Sequence, residues 1–293
     1  MNWIMQHISY QVQWQSDFLL FLQSLRNDFL SWFFYIVTNS GEEVFCFAVC
    51  SVIFWCVSKR AGYIIGFSLI SADLVNMAVK QVFQVPRPIG HNGIEYVRTP
   101  VEVFPQGYSF PSGHATAAGS LWSSVILALR KRWLVVLGVL MMILIPLSRL
   151  YFAAHTPIDV TAGLVLGILT ALVINRISEA SEKAKKYLAA VIVFVFAAVG
   201  IFVNHPGYWK AIGILAGLTS GYFMEKESIK LDMPKKVCGY ISRTFLGLAG
   251  ASILCPLLGV LLPDSAVSGA FRYCCLGLWI TAGAPALFSK LKI

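Results

Sequence analysis

Along most of this chain, apolar residues run in windows of about 17–23 residues, long enough to cross a bilayer as α-helices. The windows fall at 41–58, 61–83, 113–129, 133–151, 157–175, 187–203, 208–224, 244–262 and 268–288. They are continuous and do not alternate, so they predict helices and not the strands of a barrel. In lipid each helix satisfies its own backbone hydrogen bonds. The expected fold class is therefore all-α: a polytopic transmembrane helix bundle of about nine spans.

Two stretches stand outside this pattern. Segment 28–38 is apolar but short, so it is either re-entrant or an extension of the first span, with Asn39-Ser40-Gly41 as a break. Residues 1–27 interleave Trp3, Trp14, Phe18, Leu19, Phe21 and Leu22 with Gln6, Gln11, Gln13, Gln15, Asp17 and Arg26. That mixture predicts an amphipathic helix lying at the membrane interface. The first 27 residues hold no basic stretch followed by an apolar core, so no cleavable signal peptide is expected. The expected division is an interfacial segment at 1–40, a catalytic transmembrane core at 41–176 and further transmembrane helices at 177–293.

Composition agrees with a membrane setting. The 293 residues are 57% hydrophobic and only 13% charged, too little charge for the surface of a soluble domain. The seven cysteines show no CxxC or secreted disulfide spacing and read as small packing residues. A net charge of +9 would suggest nucleic acid in a soluble protein. Here the cations sit in short loops between apolar windows and set orientation instead. Counting loops on alternate sides of nine spans puts sixteen of the 23 cations on one side, among them Arg130, Arg176 and Lys183. The positive-inside rule makes that side cytoplasmic. Nothing in the pattern specifies an oligomeric state.

Three polar islands interrupt the apolar background, and all three fall on the opposite, extracytoplasmic side. The first runs from Lys80 to Pro88 and contains Arg87. The second is Phe110-Pro111-Ser112-Gly113-His114. The third runs from Ser148-Arg149 to His155-Thr156-Pro157-Ile158-Asp159. Together they supply three permanent cations, two histidines, a serine, a glycine and a carboxylate, an inventory suited to holding a phosphate and breaking its ester. Ser112 is placed to cap a helix whose free N–H groups favour an anion, and Gly113 lets the backbone approach a ligand. Thr156-Pro157-Ile158-Asp159 has the form of a capping box. Asp159 is also one helical turn from His155, where a carboxylate would fix the imidazole tautomer. Arg149 has the geometry to hold a phosphate bidentately. The loop between the first two islands, with Pro100, Pro105, His91, Glu95, Arg98 and Tyr108, is expected to shape substrate entry. Within the second window, Asp73 and Asn76 predict a polar network supporting Lys80. Glu42-Glu43 open the first window, either as helix N-terminal acids or as acceptors of a cationic part of a substrate.

The islands resemble the three-part signature of the type 2 phosphatidic acid phosphatase superfamily. That signature is a Lys, six residues, then Arg-Pro; Pro-Ser-Gly-His; and Ser-Arg, five residues, His, three residues, Asp. Every position is present. The resemblance implies that His155 attacks phosphorus and becomes a phosphohistidine, that Asp159 orients it, and that His114 protonates the leaving oxygen and then activates water. It implies that Lys80, Arg87, Ser112, Gly113 and Arg149 hold the phosphate oxygens, with no metal and no other cofactor.

The expected function is a metal-independent phosphatase of a lipid-linked phosphate monoester or diphosphate, acting within membrane lipids on the extracytoplasmic face of a bacterial cytoplasmic membrane. A small-molecule or sugar phosphatase of the glucose-6-phosphatase kind would use the same residues. A non-catalytic lipid binder or transporter is expected to lack at least one of His114, His155 or Asp159. A vanadate-dependent haloperoxidase shares the signature, but in a soluble setting.

Overall fold

A computed structural model describes residues 7–95, 107–203 and 205–293. Trp3 and Gln6 of the N-terminal segment, and Pro100, Pro105 and Arg98 of the long loop, lie outside the described residues. Among the described residues the chain is helical and contains no strand. The helices are α1 (Gln13–Ser24), α2 (Asp28–Asn39), α3 (Glu43–Cys56), α4 (Lys59–Phe83), α5 (Gly113–Leu129), α6 (Arg132–Tyr151), α7 (Pro157–Ile177), α8 (Glu182–Gly200), α9 (Pro206–Met224), α10 (Val237–Leu261), α11 (Ala266–Leu278) and α12 (Ala284–Leu291). A π-helical turn, Trp279–Gly283, joins α11 to α12.

Each of the nine apolar windows coincides with a helix or a joined pair. By length and composition α4, α6, α7, α10 and the joined α11–α12 can cross a membrane. The pair α2 and α3 qualifies as one further span, bent by 51°. The expected break is at that bend: α2 ends at Asn39 and α3 begins at Glu43.

The chain forms two compact units. The first comprises residues 1–46 and 75–172, the second 47–74 and 173–293. In the first unit α2 starts from Asn27, whose side chain accepts from Leu30 N at 2.9 Å, with Asp28 in the first turn. Both features favour a helix N-terminus. α5 ends at Arg130 in the left-handed region and a two-residue connection sends the chain back as α6.

The core under the polar islands is made by α1. Leu19 and Leu22 pack with Ile94, Ala115, Leu150, Ala153 and Val160. Beside it Phe34 packs on Tyr151 and Phe152, and Val37 on Ala118 and Ile145. The polar side chains of α1 are partly structural: Gln15 and Ser16 are buried. Gln15 accepts from Ile158 N at 3.0 Å and donates to Ser9 O at 2.8 Å. It therefore satisfies one of the free N–H groups in the first turn of α7. Trp14, Phe18 and Phe21 face outward, a surface suited to an interface.

α5 and α7 cross with their backbones in near contact. A Cβ added to Gly163 would stand 2.4 Å from Ser112 O, and one on Gly167 would stand 2.2 Å from Thr116 O. On the facing helix, a Cβ on Gly119 would stand 2.5 Å from Leu164 O. Gly163-x-x-x-Gly167 thus works as a small-residue crossing of the kind membrane helices use. It brings the starts of α5 and α7, and with them the second and third islands, side by side.

The second unit repeats this device. Cβ atoms on Gly213 and Gly217 of α9 would stand 2.0 Å and 2.1 Å from Ala270 O and Cys274 O of α11. Lys59 Nζ meets the buried Glu225 carboxylate at 2.7 Å and Leu231 O at 2.8 Å. Cys46, Cys50 and Cys56 are buried free thiols.

Candidate active site

The first and second islands meet because the long loop closes on itself. Ser109 N donates to Val85 O at 2.7 Å. Lys80 Nζ donates to Tyr108 O at 2.8 Å, and Arg87 Nε to Gly107 O at 3.1 Å. The second and third islands meet through Ser112 N, which donates to Asp159 O at 3.0 Å. The loop joining α6 to α7 turns at Ala153, which takes φ 54°. That left-handed conformation is costly for alanine. It lets Ala154 N bond back to Arg149 O at 3.0 Å and closes the turn before His155.

His155 is the centre of the constellation and is only 2% exposed. Its Nε2 lies 3.2 Å from Arg87 Nη1, which also donates to Ala154 O at 2.8 Å. A guanidinium only donates, so this contact requires a lone pair on Nε2 and the proton on Nδ1. The Nδ1 side faces Ser109 Oγ at 3.4 Å and Asp159 Oδ2 at 3.7 Å. Ser109 in turn donates to Asp159 Oδ2 at 2.6 Å. The serine hydroxyl therefore sits between imidazole and carboxylate, while the direct His155–Asp159 separation exceeds a hydrogen bond.

Asp159 has a second task. Its Oδ2 accepts from Thr156 N at 2.7 Å, and Asp159 N bonds back to Thr156 Oγ1 at 3.4 Å. This is the capping box expected of the sequence. The same carboxylate thus starts α7 and borders the imidazole.

Burial, with Arg87, Lys80 and Arg149 nearby, holds the His155 imidazolium well below the ordinary histidine range. The ring is neutral at physiological pH with its lone pair aimed at the cations. Arg87 is itself lowered to about 10, by burial and then by Arg149, and stays charged.

Ser112 is fully buried and caps α5, its hydroxyl accepting from Ala115 N at 3.4 Å. Asn76 braces the same turn, donating to Thr116 Oγ1 at 2.9 Å and Pro111 O at 3.3 Å. A Cβ on Gly113 would meet nothing closer than Asn76 Oδ1 at 3.9 Å. The protein's own packing does not demand that glycine, which leaves the approach to the α5 N-terminus open. His114, one residue on, has Nε2 at 3.0 Å from Glu42 Oε1. Arg149 Nη1 donates to Thr38 Oγ1 at 2.8 Å.

All eight sequence-derived site residues therefore lie in the first unit, on the ends of α4, α5, α6 and α7 and the loops joining them. Ser109, Glu42 and Thr38 also set their side chains against those of the eight. Glu42 was visible as an acid at the head of a span, but nothing local tied it to His114. Ser109 lies two residues before the Pro-Ser-Gly-His run, and Thr38 carries no motif. Among the described residues no group of three or more His, Cys, Asp and Glu side chains could hold a metal ion.

Residues 61–183 match the PAP2 superfamily, and residues 209–293 match the PAP2 superfamily phosphatase transmembrane extension. The chain belongs to the PAP2 superfamily. The PAP2 match contains all eight site residues, and the extension covers α10 and α11 with nearly all of α9 and the chain beyond.

Relatives of this PAP2 protein include an undecaprenyl-diphosphatase of Sulfolobus acidocaldarius, 31% identical over 110 residues, 38% of this chain and 52% of that one. A probable sphingosine-1-phosphate phosphatase of Dictyostelium discoideum is 26% identical over 204 residues, 63% of this chain and 48% of that one. A glucose-6-phosphatase catalytic subunit 1 of Haplochromis nubilus is 30% identical over 157 residues, 45% of each chain. The chain spans about half the length of the curated relatives it matches. No solved structure matches it.

Proposed function

We propose that this protein is a membrane-embedded phosphoric ester hydrolase that acts on a lipid-linked phosphate monoester or diphosphate. The observation that carries the reading is the His155 ring, buried and neutral, with Nε2 held 3.2 Å from the Arg87 guanidinium. An entering phosphate dianion would draw Arg87, Lys80 and Arg149 to its oxygens and free that lone pair. Phosphorus would then stand where Nε2 can attack it. The named activities of the relatives, a diphosphatase and two phosphatases, support the same reaction class.

The chemistry follows in two displacements. In the first, the Nε2–P bond forms, the P–O bond to the leaving group breaks, and the imidazolium of His114 gives its proton to the departing oxygen. In the second, His114 takes a proton from water, the water oxygen bonds to phosphorus, and the N–P bond breaks to release inorganic phosphate. Nδ1–H of His155 leans on Ser109 and Asp159 and spreads the charge that develops on the ring. Fixed cations and the free N–H groups at the start of α5 neutralise the phosphoryl oxygens, so no metal is needed.

Residues 41–176 form the catalytic core in this reading, 1–40 an interfacial segment, and 177–293 additional membrane helices, giving about nine spans. The loop charges support a site on the extracytoplasmic face. A lipid substrate would bring its phosphate to the site from the interface while its tail remains in the bilayer. The glucose-6-phosphatase likeness favours a second reading, a small-molecule phosphatase with the same residues.

The test is phosphate release from a panel of detergent-solubilised phospholipids, polyprenyl diphosphates and sugar phosphates, with wild type and His155→Ala. Wild type is expected to hydrolyse at least one lipid phosphate, and the variant to keep less than about a hundredth of that rate. Retention of more would remove His155 as the nucleophile.

A further inference from the structure

The break between α2 and α3 brings a side chain to the site that belongs to none of the three islands. Gly41 packs on the His114 ring: a Cβ there would meet His114 Cδ2 at 3.2 Å and Ile145 Cγ2 at 3.0 Å. The next residue, Glu42, turns its carboxylate onto His114 Nε2 at 3.0 Å. One turn earlier on α2, Thr38 accepts from Arg149. The bend is therefore a fourth wall of the site.

We propose that Glu42 is the positioning residue of the acid–base histidine, keeping His114 oriented and protonated for the leaving oxygen. The proposal rests on the reading of His114 as the proton donor. A carboxylate only accepts, so its contact with Nε2 fixes a proton on that nitrogen. The other charged groups acting on His114 are Arg149 from α6 and Arg87 from the long loop. Burial opposes an imidazolium most and both cations oppose it further, whereas Glu42 is the charged group that favours it.

The contact is lopsided: the His114 side chain is 20% exposed and that of Glu42 53%. The carboxylate therefore stands on the open side of the ring, where a leaving group must depart, and it remains ionised throughout. The imidazolium keeps its Nε2 proton on Glu42, yields the Nδ1 proton as the P–O bond breaks and regains one from water as the N–P bond breaks. Charge and protons balance without Glu42 titrating.

Only reactions that need a proton on the leaving oxygen should depend on Glu42. An alkoxide is a poor leaving group, and general acid catalysis is worth roughly 10²–10⁴-fold there. A nitrophenolate leaves without help. The experiment compares dodecyl phosphate with p-nitrophenyl phosphate on the full chain in detergent, for wild type, Glu42→Gln and Glu42→Asp. In Glu42→Gln, kcat for the alkyl ester should fall by about 100-fold and that for the aryl ester by less than about 5-fold. Glu42→Asp should recover part of the alkyl rate, because it restores the charge. It also serves as the informative variant if the glutamine form does not fold, since its deficit should again be larger for the alkyl ester.

Equal losses on both esters would reduce Glu42 to general architecture and overturn the proposal, as would no loss on either. If wild type released phosphate from neither ester nor from any member of the substrate panel, the hydrolase reading itself would fall, and this one with it. A purely structural role would move thermal stability and both rates together, whereas the ratio between esters reports proton donation alone.

Discussion

The crossing of α5 and α7 decides whether the proposed phosphate-binding turn and the proposed nucleophile share a site, and Gly163→Ala tests it. The added methyl carbon would stand 2.4 Å from Ser112 O and 3.1 Å from Thr116 Oγ1. A carbon and a carbonyl oxygen come no closer than about 3.3 Å even in a weak hydrogen bond. The two helix starts must therefore part by roughly 0.9 Å to meet that limit. The Ser112 N–Asp159 O bond, 3.0 Å at present, would stretch beyond hydrogen-bonding range. Overpacking costs about 1–3 kcal/mol and the lost buried bond about 1 more, so unfolding stability should fall by about 2–4 kcal/mol. Activity should suffer more than stability, because a misplacement of about 1 Å can cost roughly 100-fold in rate. The assay is kcat for the best substrate well below the melting temperature, with thermal unfolding measured in parallel. Gly213→Ala is the control: its methyl would stand 2.0 Å from Ala270 O within the second unit, overpacking a crossing that carries no proposed site residue. Loss of stability in both variants with loss of kcat in Gly163→Ala alone is the expected pattern. A Gly163→Ala enzyme within about threefold of wild-type kcat would refute the claim that this crossing sets the geometry.

Four further outcomes follow from the site. Ser109→Ala removes a 2.6 Å hydrogen bond to a buried carboxylate; such bonds are worth about 1.5–3 kcal/mol, so kcat should drop by about tenfold or more with KM little changed, and a loss under about twofold would deny Ser109 its bridging role. The His155 imidazole is held well below 6.5 by burial and by Arg87, Lys80 and Arg149, so a lowered value keeps it neutral as pH falls through the usual histidine range. Its NMR resonance in the ligand-free protein, assigned by its absence from His155→Ala, should therefore stay put from about pH 8 to about pH 6, and a midpoint near the unperturbed value would contradict the burial argument. Turnover should survive excess EDTA, since Lys80, Arg87 and Arg149 supply the positive charge; activity lost to the chelator and restored by Mg²⁺ would overturn that view. For sidedness, a single cysteine at Asn92 should react with an impermeant thiol reagent in intact cells, on a background cleared of native cysteines, and one at Lys183 only after permeabilisation; the reverse would place the site in the cytoplasm.

The sequence alone determined what depends on one helix at a time. Apolar windows located the helices because membrane spans are set by length and hydropathy, not by partners. Caps were equally local, so the Thr156–Asp159 box and the Ser112 cap were legible from spacing. The site's residue types were legible too, since three short islands hold all eight of them.

Tertiary structure decided which atoms of those residues meet. That Nε2 of His155 faces Arg87 depends on the long loop closing between Val85 and Ser109, more than twenty residues apart. That Ser109 stands between His155 and Asp159 follows from the same closure. Glu42 and Thr38 join the site because α2 and α3 bend by 51°, and the size of a bend at a helix break is set by packing. The Gly163-x-x-x-Gly167 spacing was present in the chain, but small residues mark a crossing without naming the partner helix. Gln15 shows the same limit from the polar side. In a one-dimensional pattern it belongs with the hydrophilic residues of an interfacial helix. In three dimensions it is buried, because the first turn of α7 has free N–H groups that need an acceptor and α1 is the element packed beneath them.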